Sequence, residues 1–214
     1  LAPSARGRAD ALSSPQLVHG PRGREFEEHF SEFLGAGAHS TTVSSATAGL
    51  HLLYINLGIG PGDEVIVPAE THVATAHAVY ATGAQPVFVD CDATGNIDPA
   101  AVRRAITPAT RAVCVVHYPG LPVDMAGVKA AIASADIFIV EDCALALGAS
   151  LDGRSCGLLG DAGVFSFYPA KHMTTAEGGM VVSRHEDVVK AVSAIKSFNY
   201  DRAADARTVP GVYD

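Results

Sequence analysis

The amino-acid sequence predicts an α/β fold with a mainly parallel β-sheet. Three observations support this: 48% of the 214 residues are hydrophobic, short strand-like segments recur along the chain, and helical segments separate most of them. Strands that alternate with helices of this size form parallel sheets. The length corresponds to one large domain or two small ones, at roughly 100–200 residues per domain.

The predicted elements follow one another in a regular order from the N-terminus. A first helix carries Phe26, Phe30 and Phe33 at helical spacing, and Gly35 ends it. Later helices are predicted over residues 48–57, 73–82, 99–106, 125–134 and 186–197. Strands are predicted over residues 40–44, 64–67, 86–90, 112–117, 137–141, 163–167 and 180–183. The gap between the last two strands is too short for a helical crossover, so the final strand is predicted to run antiparallel.

Charge and composition argue against two classes of partner. The chain has 15 Lys and Arg residues against 23 Asp and Glu residues, and its net charge of −8 without basic clusters argues against nucleic-acid binding. No apolar run reaches the roughly 18 residues that a membrane span needs. The four cysteines form neither a C-x-x-C pair nor a zinc-ligand spacing, so we expect buried thiols in a cytoplasmic protein.

Five places lie at or just after the carboxyl ends of predicted strands, where ligands of α/β sheets bind. They are Ser45-Ala46-Thr47, His72, His117, Asp142 and Lys171. The small residues of the first place open a helix, where backbone N–H groups and the helix dipole attract an anion such as phosphate. The alternative is that Ser45 is an ordinary helix cap.

Asp142 and Lys171 offer an acid and an amine. A carboxylate at a buried strand end needs a cationic or hydrogen-bonding partner, although Asp142 could also cap a helix. Lys171 ends the block Ser166-Phe167-Tyr168-Pro169-Ala170-Lys171. Its amine becomes a nucleophile where desolvation removes the charge, and otherwise it is an ordinary surface lysine.

Two histidines complete the set of candidates. His72 could stack on a flat ligand, act as a base, or sit in the first turn of a helix. His117 ends a strand, where a histidine can simply be hydrogen-bonded. His72, His77 and His117 lack the spacing of a metal site, so no metal is predicted.

Together the candidates predict a site for pyridoxal 5'-phosphate. Such a site needs a phosphate cradle, an acid beside a ring nitrogen, a flat side chain against the ring and an amine for covalent attachment. The combination is more specific than any one of its members.

Longer stretches of the chain resemble the DegT-type (DegT/StrS) sugar aminotransferases, pyridoxal-phosphate enzymes of aspartate-aminotransferase fold type I. The similarity runs from about Gly20 onward. The stretches that carry it are SATAGLH at 45–51, GIGPGDEVIVP at 58–68, VFVD at 87–90, EDCA at 141–144, SFYPAK at 166–171 and EGG at 177–179. The resemblance implies a large domain with a seven-stranded, mostly parallel sheet and helices on both faces.

The resemblance also implies a role for each matching residue. Lys171 matches the lysine whose amine binds the cofactor and moves protons in catalysis. Asp142 matches the carboxylate that keeps the pyridine nitrogen protonated, and His72 falls where a ring stacks on the cofactor. Three residues fall on phosphate-binding positions: Ala46, Thr47 and Ser166.

The chain departs from the family pattern at three positions. Leu145 stands where Gln is usual near the ring hydroxyl, and Ala46 and Ala176 stand where Gly is common. Family members also have a C-terminal domain that helps to bind substrate. The implied organisation is an N-terminal arm and helix over residues 1–36, a pyridoxal-phosphate-binding large domain over 37–198, and over 199–214 the start of a connection to a missing C-terminal domain.

The implied activity is amino transfer from glutamate or glutamine to a keto group of a nucleotide-linked sugar, in a cytoplasmic homodimer. A cyclitol is a possible alternative acceptor. Two other functions are considered: a pyridoxamine-phosphate-dependent sugar dehydratase of the same family, and a non-catalytic binding or regulatory protein. The dehydratases have His in place of the lysine, and here Lys171 is present with His172 beside it.

Overall fold

The computed structural model describes residue 13 and residues 20–35, 37–132 and 136–197. The helices of these ranges are α1 (Pro21–Leu34), α2 (Ala46–Asn56), α3 (Val73–Tyr80), α4 (Pro99–Ala105), α5 (Met125–Ile132) and α6 (Glu186–Ile195). The strands are β1 (His39–Val43), β2 (Glu64–Pro68), β3 (Gln85–Val89), β4 (Thr110–Val116), β5 (Phe138–Asp142), β6 (Ser150–Leu151), β7 (Arg154–Ser155), β8 (Ala162–Ser166) and β9 (Gly179–Ser183).

Seven of these strands form one mixed sheet in the order β1-β9-β8-β5-β4-β2-β3. The neighbours from β8 to β3 are parallel, whereas β9 runs antiparallel to both β8 and β1. The predicted seven-stranded, mostly parallel sheet and its antiparallel last strand are confirmed. Because β9 separates them, β1 and β8 point the same way, so the carboxyl end of β1 lies at the same edge as those of the parallel strands.

The sheet is buried on both faces because helices cover both of them. On β4, Val113 and Val115 join an apolar cluster that includes side chains of α1, α4 and α5. Ala112 and Cys114 alternate with them and join the cluster built by α2, α3 and α6. Strands covered in this way have apolar side chains on both faces, which explains their continuous hydrophobic runs. No helix in the described ranges is long and apolar enough to cross a membrane.

The predicted elements are present, and most of their ends are shifted by one or two residues. The small antiparallel hairpin of β6 and β7 is not among the elements predicted from the sequence. Asp152 and Gly153 turn this hairpin with φ angles of 50° and 75°. Several predictions lie outside the described residues: the arm before Gly20 apart from residue 13, the predicted helix end at Ser134, and the connection over 199–214.

Candidate active site

Three segments meet at one point of the sheet edge: the ends of β1 and β8 and the start of β9. Gly179 pairs with Val43 on one side and with Ser166 on the other. A Cβ at Gly179 would lie 2.7 Å from the amide nitrogen of Ala46 and 2.9 Å from the carbonyl oxygen of Phe165. Glycine therefore lets the N-terminus of α2 approach the sheet here, close to the end of β8.

The N-terminus of α2 offers unpaired backbone N–H groups. Ser45 is the helix cap, because its hydroxyl accepts a hydrogen bond of 3.1 Å from the amide of Ala48. The amides of Ala46 and Thr47 lie before the first intrahelical hydrogen bond and have no acceptor within the helix. With the helix dipole and the half-buried hydroxyl of Ser166, they form a surface suited to an anion.

Asp142 is the last residue of β5 and is 6% exposed. Its Oδ2 accepts a hydrogen bond of 2.8 Å from the hydroxyl of Thr75 in α3, and its Oδ1 accepts one of 3.0 Å from the amide of Ala144. Among the described residues, no Lys, Arg or His forms an ion pair with it. A carboxylate buried without a cation is costly, so the site is suited to a positively charged ring nitrogen.

The surroundings of Asp142 are apolar. Burial raises the pKa of the Cys114 thiol, and the negative charge of Asp142 raises it further. Burial likewise raises the pKa of Tyr54 well above 10.0. Electrostatic interactions are strong in such a medium, because little water screens them.

Lys171 lies half-buried in the loop that follows β8. Its backbone N–H donates a hydrogen bond of 2.9 Å to the carbonyl oxygen of Tyr168. Within the described ranges, its amine makes neither a hydrogen bond nor an ion pair. The amine is therefore available for chemistry.

His72 is the N-cap of α3. Its Nδ1 accepts a hydrogen bond of 3.1 Å from the amide of Ala74, and its ring is exposed. The first-turn alternative is thus observed, while stacking on a cofactor stays a prediction. Thr75 follows three residues later in the same helix, so the N-terminus of α3 is held close to Asp142.

His117 has a structural position. Its Nδ1 accepts a hydrogen bond of 3.0 Å from the amide of Val123, so its proton lies on Nε2. That Nε2 donates to Glu141 at 2.8 Å, and Glu141 also accepts from the amides of Gly157 and Gly160 at 2.8 and 2.6 Å. His117 is fully buried and hydrogen-bonded on both nitrogens, and it does not act as a base.

The same network contains one group of possible metal ligands within the described ranges. The ligand atoms of His117, Glu141 and Cys143 lie within 4.8 Å of one another. Backbone amides already occupy His117 and Glu141, and burial raises the pKa of the Cys143 thiol. A metal binds the thiolate, so this set is not prepared to hold an ion.

Known proteins match nearly the whole chain. The model of the DegT/DnrJ/EryC1/StrS aminotransferase family matches residues 6–212. Spore coat polysaccharide biosynthesis protein SpsC of Bacillus subtilis (strain 168) is 40% identical over 196 residues, which are 91% of this chain and 50% of that protein.

Solved structures share the fold. DesI, crystallised in the presence of its TDP-sugar product, is 40% identical with a TM-score of 0.81, and the match covers 86% of this chain and 46% of that one. Spr1654 from Streptococcus pneumoniae in its PLP-form is 31% identical with a TM-score of 0.81, and the match covers 87% and 53%. The present chain therefore spans about half the length of these relatives, and its fold is that of the fold-type-I pyridoxal-phosphate aminotransferases.

Proposed function

Because this chain belongs to the DegT/DnrJ/EryC1/StrS aminotransferase family, we propose that its site binds pyridoxal 5'-phosphate and serves amino transfer to a sugar. The observation that carries the proposal is the buried carboxylate of Asp142, which has no cationic partner among the described residues. A protonated ring nitrogen is the partner that this carboxylate needs.

The donor groups at the sheet edge fit the cofactor. The amides of Ala46 and Thr47 and the hydroxyl of Ser166 suit its phosphate, and Lys171 offers an amine. The exposed ring of His72 is available to lie against the cofactor ring. We assign Lys171 and Asp142 as the catalytic pair.

Asp142 acts on the electronic state of the ring. When bound, pyridoxal phosphate supplies a reactive carbonyl and a ring that accepts electrons while its nitrogen is protonated. Asp142 would keep the proton on that nitrogen, because its carboxylate is held in place by the hydroxyl of Thr75 and the amide of Ala144. The apolar surroundings strengthen this interaction.

Lys171 acts first as a nucleophile and then as a proton carrier. With the cofactor bound, the Nζ of Lys171 would hold it at its carbonyl carbon, with loss of water, and an incoming amino donor would release this amine. The free amine would then move a proton from the donor's α-carbon, as a general base, to the cofactor's C4′, as a general acid.

We further propose glutamate or glutamine as the amino donor and a nucleotide-linked ketosugar as the acceptor. The TDP-sugar of the DesI structure and the polysaccharide pathway in the name of SpsC support a sugar acceptor. We also propose that the protein is a cytoplasmic homodimer.

The test is the first half of the reaction. The chain is loaded with pyridoxal phosphate, freed of excess cofactor and mixed with L-glutamate or L-glutamine. We expect one of these donors to release its oxo acid in proportion to the bound cofactor. Lys171→Ala should abolish this release, while Lys190→Ala should not, because Lys190 is an exposed lysine of α6 paired with Glu186. Equal release from Lys171→Ala and the unaltered chain would overturn the proposal.

A further inference from the structure

Phe167 anchors the loop that carries Lys171. It follows the last residue of β8 and is 1% exposed. Its N–H donates to the carbonyl oxygen of Gly178 at 3.0 Å, and its own carbonyl oxygen accepts from the amide of Thr175 at 3.0 Å and the hydroxyl of Thr174 at 2.9 Å. The backbone of one residue thus closes the loop over residues 168–178, with Lys171 inside it.

Two rings of α1 hold Phe167 in place. The ring centroids of Phe26 and Phe167 are 5.3 Å apart, and those of Phe30 and Phe167 are 5.7 Å apart. Phe30 also meets Phe165 of β8 at 5.1 Å, edge to face. Aromatic pairs in such geometry stabilise beyond their burial. Helix α1 therefore packs directly on the residue that closes the lysine loop.

Helix α1 is also hydrogen-bonded to β1, the strand that leads into α2. The Oε1 atom of Glu27 accepts hydrogen bonds of 2.7 and 2.8 Å from the amide and hydroxyl of Thr42 in β1, and it pairs with Lys196 at 3.2 Å. Ser31 and Ser40 share a further hydrogen bond of 2.8 Å. Strand β1 leads into Ser45, the cap of α2. Helix α1 is therefore linked to the proposed phosphate-binding segment through β1 and to the Lys171 loop through Phe167.

We propose that α1 is a positioning element of this site: Phe26 and Phe30 hold Phe167, and Phe167 holds the loop that presents the Lys171 amine. The chemical role of the Lys171 amine rests on the proposed function. The role of α1 in fixing the position of the loop does not depend on that function. Phe26 and Phe30 are positioning residues, since they act on Lys171 only through Phe167.

Phe26→Ala is the main variant, because Phe26 is only half-buried and its loss leaves the core largely intact. Two quantities are measured: hydrogen exchange at the Phe167 and Thr175 amides in the cofactor-free chain, and the dissociation constant for pyridoxal phosphate. We expect the exchange rates of these amides and the dissociation constant each to rise about tenfold, as for the loss of an aromatic pair. Phe26→Leu should restore much of both, because leucine keeps an apolar contact with Phe167.

Two controls separate positioning from general stability. Phe33→Ala removes the same type of ring from the same helix. Phe33 is 58% exposed and its ring lies 6.0 Å from that of Phe30, but no ring contact of the described residues joins it to Phe167. Val102→Ala weakens the core at α4, far along the sheet from the loop. Phe33→Ala should leave exchange at Phe167 and cofactor affinity unchanged. Val102→Ala should raise exchange at Phe167 no more than exchange in the core strand β4, and should leave cofactor affinity unchanged.

The outcomes are distinguishable. Unchanged exchange in Phe26→Ala, or an equal loss of affinity in Val102→Ala, would overturn the positioning role. If the unaltered chain fails to bind pyridoxal phosphate, the proposed function fails, and the exchange measurement alone then decides whether α1 holds the loop.

Discussion

Glu141 and Asp142 are neighbours on β5 but lie in opposite electrostatic surroundings. Glu141 is fully buried and accepts hydrogen bonds from His117 and from the amides of Gly157 and Gly160. Asp142 accepts only one hydroxyl and one amide hydrogen bond. The charge of Glu141 is therefore compensated within the fold, whereas we propose that the charge of Asp142 is compensated only by a cation that binds at the site.

This contrast predicts opposite effects of two amide substitutions on the free energy of unfolding of the cofactor-free chain. Asp142→Asn should raise it by about 1 kcal/mol, the usual gain from relieving a functional site. The amide oxygen can accept from the N–H of Ala144 and the amide NH2 can donate to the hydroxyl oxygen of Thr75, so both contacts persist without the charge. Glu141→Gln should lower it by about 3 kcal/mol, because an amide cannot accept from all three N–H donors. Urea unfolding of both variants measures the difference.

Asp142→Asn should also slow release of the oxo acid from a bound amino donor, since an amide cannot hold the ring proton. A strongly destabilised Asp142→Asn would contradict the assignment of an uncompensated charge. Near-normal release of the oxo acid would remove Asp142 from the catalytic pair.

Ala176, in the lysine loop, has a φ angle of 70°. Residues with a Cβ are strained in this left-handed region, so Ala176→Gly should raise the free energy of unfolding by about 1 kcal/mol. The control is Ala130→Gly in α5, where the same change should lower it by about 1 kcal/mol. Thermal unfolding of the two variants should shift in opposite directions, and a loss of stability in both would contradict the strain.

For single residues, the sequence predicts where a side chain lies on the sheet better than it predicts which side chains contact it. Asp142 and Lys171 could be located because each lies at or just after the carboxyl end of a strand, and their positions need only the order of elements. The bond from Thr75 to Asp142 joins residues 67 apart in sequence. This hydrogen bond depends on how α3 packs against β5. The position of Thr75, one turn after His72, could have indicated that its hydroxyl lies near the site. The close approach at Gly179 likewise depends on the register of β9, which the Gly178-Gly179 pair alone does not reveal.

Among the elements, α1 is held to β1 and α6 by a nearly buried ion pair. Burial alone would raise the pKa of Glu27, but the amide of Thr42 and the charge of Lys196 outweigh it and hold the pKa below 4.5. The ammonium of Lys196 also donates to Thr41 at 2.6 Å and to the carbonyl oxygen of Thr42 at 2.8 Å. The ion pair of Glu27 and Lys196 therefore links α1, β1 and the end of α6.

The lowered pKa fixes the sign of a pH effect. The contribution of Glu27 to stability is complete above pH 4.5, the ordinary pKa of Glu, and is lost as the pH falls through the lower folded-state pKa. Glu27→Gln should lower the free energy of unfolding by about 2 kcal/mol at pH 7, as for hydrogen bonds to a charged group. The difference from the unaltered chain should shrink below pH 4.5.

Glu25→Gln is the control for this pH effect, because Glu25 lies on the same helix in an exposed pair with Arg22. Exposed pairs contribute little, so its unfolding should follow that of the unaltered chain at every pH. A pH-independent difference for Glu27→Gln would mean that Glu27 contributes by packing and not by charge.

Hydrophobic patterns predict the long elements well and the short ones poorly. Buried strands such as β4 and β5 have continuous apolar runs, and their order follows from the helices between them. The hairpin of β6 and β7 has strands of only two residues, which show no periodicity. The Asp152-Gly153 pair between them is the turn signal that could have revealed it.

The molecule as a whole spans about half the length of the relatives that it matches. We expect this chain to bind pyridoxal phosphate and to release one oxo acid per bound cofactor, yet to complete few full cycles with a sugar acceptor. Half of SpsC lies outside the match, and the family resemblance implies a further domain that helps to position the substrate. Fusion to the part of SpsC that lies outside the match should raise the transamination rate by at least about a hundredfold, the scale of correct substrate positioning. Equal rates from the two proteins would show that residues 1–214 carry the complete activity.

Covalent capture of the cofactor at one lysine tests the central claim most directly. The purified chain is mixed with pyridoxal phosphate, reduced with borohydride and digested, and the modified peptide is identified by mass spectrometry. We predict a single phosphopyridoxyl group on Lys171, lost in Lys171→Ala and retained in Lys190→Ala. Modification spread over several exposed lysines, or the same incorporation into Lys171→Ala, would contradict the assignment of this edge of the sheet as a pyridoxal-phosphate site.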